Sequence, residues 1–198
     1  LPIEQSYSSF DLQDYLGRES RLLGEPEPVS PPRAMSPCEY GQTWEVDGVH
    51  FAFLWPLRSD GAPRRQDRKQ RNDQACVLRV QGAYHSALLP ADIGTWPENA
   101  LVEREFGAID VVVAAHHGSR YSSGPRFVGM ARAGHVIAQV GLWNRYGHPG
   151  ASVEQRWRDS GATFWRTDLH GAIQVRSRPE GLFAEAARQG SRRYWQSR

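Results

Sequence analysis

The sequence predicts a layered α/β fold built on a mixed sheet, and three observations carry that expectation. Five small or β-branched residues, Val111 to Ala115, run straight into His116, His117 and Gly118, as a strand buried on both faces does at its end. Two other apolar stretches fold back on themselves about Gly-containing turns and read as hairpins. Beyond them, strand-like and helix-length segments alternate, the pattern of a sheet covered by helices on its outer faces.

The elements follow from the punctuation of the chain. Residues 10–23 have weak helical character, and the Pro-rich stretch Gly24 to Pro37 reads as a surface loop without regular structure. Gln42 to Asp47 and Val49 to Trp55 pair about Asp47-Gly48, and a basic loop covers residues 58–73. A second hairpin joins Cys76–Val80 to Tyr84–Ile93 through Gly82-Ala83. Then come a helix near Pro97 to Phe106, the strand into His116, a helix near Gly124 to Ala133 and a strand from His135 to Val140. A helix near Ala151 to Ser160 and short strands at Thr163 to Arg166 and Ala172 to Val175 complete the order, leaving 176–198 as an Arg-rich C-terminal tail.

Composition bounds the function classes. A chain of 198 residues, 39% hydrophobic, supports one core. It has no apolar stretch approaching the roughly 20 residues of a spanning helix, and its first residues do not resemble a signal peptide. The net charge of +2 is too small to argue nucleic-acid binding, so the distribution matters more. Arg64, Arg65, Arg68, Lys69 and Arg71 cluster in the basic loop as candidate phosphate contacts, with a solvated surface loop as the plainer reading. Tyr194 and Trp195 beside Arg192 and Arg193 have the make-up of a base-stacking tail, with a floppy chain end as the alternative.

The chemistry concentrates at strand ends. Asp92 follows an apolar strand, and a helix-sized connection leads from it to His116 and His117 at the end of the next, which is where layered α/β folds assemble sites. His148 lies in a comparable loop after the following strand. One carboxylate with strand-end imidazoles suits zinc or manganese, and packing of one imidazole in the core with the other in a turn is the bland alternative.

Four segments in order make the chain recognisable. Asn72-Asp73 with Cys76-Val77-Leu78-Arg79, then Leu88-Leu89-Pro90-Ala91-Asp92-Ile93, then His116-His117-Gly118-Ser119, and last Asn144 to Pro149 with Arg166-Thr167-Asp168 and Gly171-Ala172-Ile173 resemble the C-terminal metallo-β-lactamase-like domain of the ComEC family of DNA internalization competence proteins. The resemblance spans Asn72 to Val175 and implies an αββα sandwich seen mainly from its second half, a partial domain over residues 1–175. It implies a metal-dependent hydrolase that degrades the DNA strand not imported during natural transformation. Asp92 is then a bridging carboxylate and His117 or His116 a direct ligand, with the preference on His117. Ser119, Asn144 and His148 become substrate-positioning candidates, each with loop structure as its alternative.

Two departures qualify the resemblance. The family's His-x-Asp-x-Asp-His motif lies N-terminal to these segments and occurs nowhere in the 198 residues, so the expectation is the later part of the domain, holding zinc or manganese weakly. A catalytically incomplete remnant with a structural or DNA-guiding role is the competing reading. Pro90-Ala91 also stands where the family has Thr-Gly, and alanine adopts positive φ less cheaply than glycine. By the same resemblance the parent protein sits in the bacterial inner membrane and this portion is soluble and periplasmic, meeting DNA and the membrane-embedded remainder but no lipid. Cys38 and Cys76, the only cysteines, would be free to form a disulfide there, with two buried thiols as the alternative.

Overall fold

The computed structural model describes residues 5–9, 12–24, 34–57 and 72–190. The first strand, β1 (Gln5–Ser8), is followed by helix α1 (Leu12–Leu23) and pairs in parallel with β2 (Ala34–Pro37). The loop expected over 24–37 is therefore corrected at its end: Ala34 to Pro37 is strand. Pro37 closes that strand, where a residue without an N–H is tolerated. Residues 25–33 lie outside the described residues, as do 58–71 and 191–198, which include Arg64, Arg65, Arg68, Lys69, Arg71, Tyr194 and Trp195.

The main sheet grows from the two hairpins. β3 (Thr43–Val46) and β4 (Val49–Trp55) turn at Asp47-Gly48, both with positive φ, the conformation that matches the twist of a two-residue hairpin. β5 (Val77–Gln81) and β6 (Ser86–Leu89) extend the antiparallel half. Three parallel strands follow, β7 (Val111–Val113), β8 (His135–Ala138) and β9 (Thr163–Arg166), giving the order β3-β4-β5-β6-β7-β8-β9.

Helices α2 (Thr95–Glu103), α3 (Pro125–Ala131) and α4 (Ala151–Asp159) cover one face of this sheet. The register aligns Leu88, Val112, Val136 and Phe164 across four strands, and all four are buried against Leu101, Phe127, Val153 and Trp157 from the helices. Each such side chain contributes about 1.5–3 kcal/mol by leaving water. Helix α2 starts two residues before the expected Pro97, because Gly94 is its N-cap and Pro97 falls in the first turn, where a missing N–H breaks no helical bond.

β1 meets the main sheet at its β3–β4 end. Tyr7 of β1 stacks on Trp44 at 5.1 Å and meets Phe53 edge-on at 5.3 Å. After the short helix α5 (Thr167–His170), β10 (Ile173–Arg178) and β11 (Gly181–Ala186) form an antiparallel ribbon that ends in α6 (Ala187–Gly190). The Ser177 hydroxyl of that ribbon lies 2.8 Å from His85 Nδ1, in the turn between β5 and β6. Of the residues expected as a tail, 176 to 190 are thus strand, turn and a short helix. The layered α/β architecture is as expected, with helices on a seven-stranded sheet and two separate two-stranded sheets.

Cys38 is bonded to Cys76, 38 positions further along the chain, with Cα atoms 5.9 Å apart. The bond ties the end of β2 to the start of β5, and Cys38 N–H donates to the Ser8 carbonyl at 3.0 Å. Among the described residues no helix is long and apolar enough to cross a membrane. Closing a loop of this size restricts the unfolded chain, so replacing both cysteines by serine is expected to lower the unfolding free energy by about 2–4 kcal/mol. Urea unfolding with and without reductant measures this, and coincident curves for the two forms of the wild type would contradict it.

Candidate functional site

The site forms where β6, β7 and β8 end side by side, at the carboxyl edge of the parallel strands. Val113 is the last residue of β7, and Ala114 N–H still donates to Ile137 O at 2.9 Å. The chain then turns sharply. His116 (φ 49°), His117 (φ 58°) and Gly118 (φ 79°) are three consecutive residues in the left-handed region. For a residue with a Cβ that conformation costs about 1–2 kcal/mol, though histidine tolerates it better than most.

Neighbouring loops hold the turn in place. His116 N–H donates to the Ala91 carbonyl at 2.9 Å, and Ala91 itself has φ 50°. The alanine thus adopts the conformation for which glycine is favoured, at a position pinned by the histidine loop. On the other side Gly150 N–H donates to Gly118 O at 2.8 Å. A Cβ on Gly118 would stand 2.6 Å from Pro149 Cβ, so this glycine is required by both backbone angle and space.

This geometry brings Asp92 and His117 together. His117 Nε2 lies 3.7 Å from Asp92 Oδ1, with both side chains about half exposed. The other ring nitrogen, Nδ1, is 2.9 Å from the Gln139 carbonyl. A carbonyl only accepts, so Nδ1 carries the proton and Nε2 presents a lone pair toward Asp92 in the neutral ring, or its proton in the imidazolium. Asp92 and His117 can therefore exchange a proton with a bound group at one defined atom.

The remaining candidates fall into place around this pair. The His116 ring is 6.4 Å from that of His117 and 5.9 Å from that of His148, and its Nε2 lies 3.5 Å from Asn72 Nδ2. Burial lowers the pKa of His148, helped by the neighbouring His116, His117 and Arg120 charges and opposed by Asp92. Ser119 is buried, and its hydroxyl accepts the Tyr121 N–H at 3.3 Å. Asn144 braces its own loop, donating to His148 O at 2.8 Å and accepting His148 N–H at 2.8 Å. Asp92, His116, His117 and His148 thus share one edge, while Ser119 and Asn144 are engaged in shaping the loops that border it.

Several contributors carry no sequence signature of their own. Gln139 acts through its carbonyl. Thr167 Oγ1 accepts Val140 N–H at 2.7 Å and donates to Val140 O at 2.8 Å, ending β8 two residues earlier than the apolar run suggests. Glu98 is fully buried and accepts the Ser123 and Gly124 N–H groups at 2.5 and 2.8 Å. Burial pushes its carboxyl up to about 7, against those bonds and the nearby Arg156. It holds the loop after the histidines against α2.

A divalent metal needs more than this pair supplies. Asp92 and His117 offer two donors 3.7 Å apart, and among the described residues there is no group of three His, Cys, Asp or Glu side chains able to hold an ion. The described residues do not by themselves fit a metal centre, which takes three or four protein ligands.

No family profile matches the chain. It is 35% identical over 161 residues to competence protein ComA of Neisseria gonorrhoeae, covering 79% of this chain and 22% of that protein. It is 27% identical over 195 residues to recombination protein 2 of Haemophilus influenzae, covering 94% and 24%. With ComE operon protein 3 of Bacillus subtilis the identity is 31% over 145 residues, covering 72% and 18%. The chain spans about a fifth of the length of these relatives. Among solved structures, it is similar to CmlA, a diiron β-hydroxylase from Streptomyces venezuelae (16% identity, 81% of this chain and 38% of that one, TM-score 0.46). It is also similar to a Thermotoga maritima protein assigned to the Zn-dependent hydrolases of the metallo-β-lactamase superfamily (20% identity, 54% and 50%, TM-score 0.33).

Gly118→Ala is expected to displace the His148–Gly150 segment and destabilise the protein by about 1–3 kcal/mol, the usual range for a strained backbone position. The His148 and His117 ring proton shifts in an NMR spectrum are expected to move together. Unchanged shifts and an unchanged unfolding midpoint would contradict the close packing of Gly118 on Pro149.

Proposed function

We propose that this chain, a homologue of the ComEC-family competence proteins, is a DNA-handling domain of a DNA-uptake protein, and that the Asp92, His116 and His117 edge serves hydrolysis of phosphodiester bonds in the strand not imported. The observation that carries this reading is the pairing of Asp92 with His117, whose ring is fixed by the Gln139 carbonyl so that Nε2 faces the carboxylate. A ring held in this way accepts a proton from an attacking water or delivers one to a leaving oxygen at the same atom. His116 and His148 add imidazoles on the open side, where a phosphate would lie. Any divalent ion acting there draws on donors in addition to Asp92 and His117.

The second reading, a structural or DNA-guiding domain without turnover, is favoured by one observation: the described residues hold no three-donor metal group. In either reading the partners are DNA and the membrane-embedded remainder of a parent protein. The proposed location is the outer side of the bacterial inner membrane.

Cleavage of end-labelled single-stranded and duplex DNA with manganese or zinc, with and without chelator, separates the two. Chelator-sensitive cleavage reduced at least 100-fold in Asp92→Asn and His117→Ala, a loss on the scale of removing a proton-transfer group, supports the hydrolytic reading. DNA binding without cleavage supports the guiding role. Neither binding nor cleavage contradicts both.

A further inference from the structure

Two Arg-Tyr dipeptides flank the imidazoles. Arg120-Tyr121 follows the His116–Gly118 turn, and Arg145-Tyr146 lies in the loop that carries His148. In both, the guanidinium sits over the tyrosine ring, at 5.2 Å for Arg120 and 5.0 Å for Arg145. Arg145 Nη2 also donates to Tyr146 Oη at 2.9 Å. Tyr121 and Tyr146 remain 68% exposed, and Trp143 beside the second pair is 89% exposed. Large rings left in water at this level are not contributing to the core.

The second pair connects physically to the site. Tyr146 stacks on His148 with ring centres 5.9 Å apart and an interplanar angle of 20°, and His148 meets His116 at 5.9 Å. A continuous row of rings therefore runs from the exposed loop to the Asp92–His117 pair. Arg120 borders the same row, since a Cβ placed on Gly150, two residues beyond His148, would meet Arg120 Cβ at 3.6 Å. Neither loop, 114–124 or 139–150, contains an acidic residue. The flanks of the site are thus cationic and aromatic, complementary to a ligand that carries both negative charge and flat apolar faces.

We infer that Tyr146 is a nucleobase-stacking subsite that seats a single-stranded polynucleotide with its backbone toward His116 and His117, the base taking the ring face that the Arg145 guanidinium covers and Arg145 turning to the phosphate. The inference rests on the proposed DNA-handling role and assigns it a strand form. A base in a duplex is stacked on both faces and cannot offer one to Tyr146, whereas an unpaired base can. Arg145 and Arg120 contribute charge that neutralises backbone phosphate, and that contribution weakens as salt rises. The bases contribute through Tyr146, and stacking on an aromatic side chain is sequence-tolerant.

Fluorescence anisotropy of a labelled single-stranded oligonucleotide, in chelator so that no turnover occurs, tests this on the full 198-residue chain. Tyr146→Ala is expected to weaken binding by about 5- to 100-fold, the range for one base stacked on an aromatic ring, and Tyr146→Phe is expected to retain it. A strand with abasic positions is expected to bind wild type and Tyr146→Ala alike. Arg145→Ala is expected to flatten the salt dependence by about one phosphate contact. Equal binding of the intact strand by wild type and Tyr146→Ala, or equal sensitivity of the abasic strand, would overturn the proposal. Because Tyr146 is exposed, the variant is expected to unfold at the wild-type midpoint, which separates lost stacking from lost fold. The assay is blind to hydrolysis, so inactive Asp92→Asn and His117→Ala proteins that bind the strand normally leave this subsite intact, and failure of stacking leaves the cleavage test standing.

Discussion

The site depends on one backbone constraint: His116, His117 and Gly118 leave β7 with left-handed angles, and Ala91 meets them in the same conformation. A strand that continued extended would send successive side chains to opposite faces of the sheet. The left-handed turn instead puts two imidazoles on the same open edge. Such strain persists only where the surroundings over-determine it, and here they do so from three sides. The Ala91 carbonyl accepts His116 N–H, the Gly118 carbonyl accepts Gly150 N–H, and the Gln139 carbonyl takes the His117 ring.

The core beneath explains why these loops are fixed. Leu88, Val112 and Val136 lie in register on β6, β7 and β8, so the three strand ends that carry Asp92, the histidines and Gln139 are anchored in one buried row. Thr167 reaches from the end of β9 to both polar groups of Val140 and releases Gln139 from the sheet so that its carbonyl faces His117. Glu98, taken out of water against α3, ties the following loop to α2. Packing sets the strand positions, and a few backbone hydrogen bonds then select the side-chain arrangement.

Much of this was legible in the sequence, for identifiable reasons. Period-2 patterns and Gly-containing turns marked the hairpins, and strand-exit logic placed Asp92 beside the histidines. The pairing of residues 5–8 with 34–37 was hidden, because a parallel contact across a Pro-rich segment has no local signal. The final hairpin was masked by its charges: Arg176, Arg178 and Glu185 stand among half-buried Ile173, Val175, Leu182 and Ala184, which reads as a solvated tail when charge is weighed before period. The positive φ at His116 and His117 could not be read at all, since neither residue demands it, and at Ala91 only the glycine of the resembled family pointed to it. The relatives among competence proteins agree with the family resemblance drawn from the four segments.

The site turns on the His117 ring being held with its proton on Nδ1 and Nε2 open toward Asp92. Long-range nitrogen–proton correlation NMR of a histidine-labelled sample reads that directly. In the neutral ring the Nδ1–H form is predicted, with Nε2 unprotonated and shifting on conversion of Asp92 to Asn. A neutral His117 protonated at Nε2, or a ring exchanging freely between both forms, would contradict it.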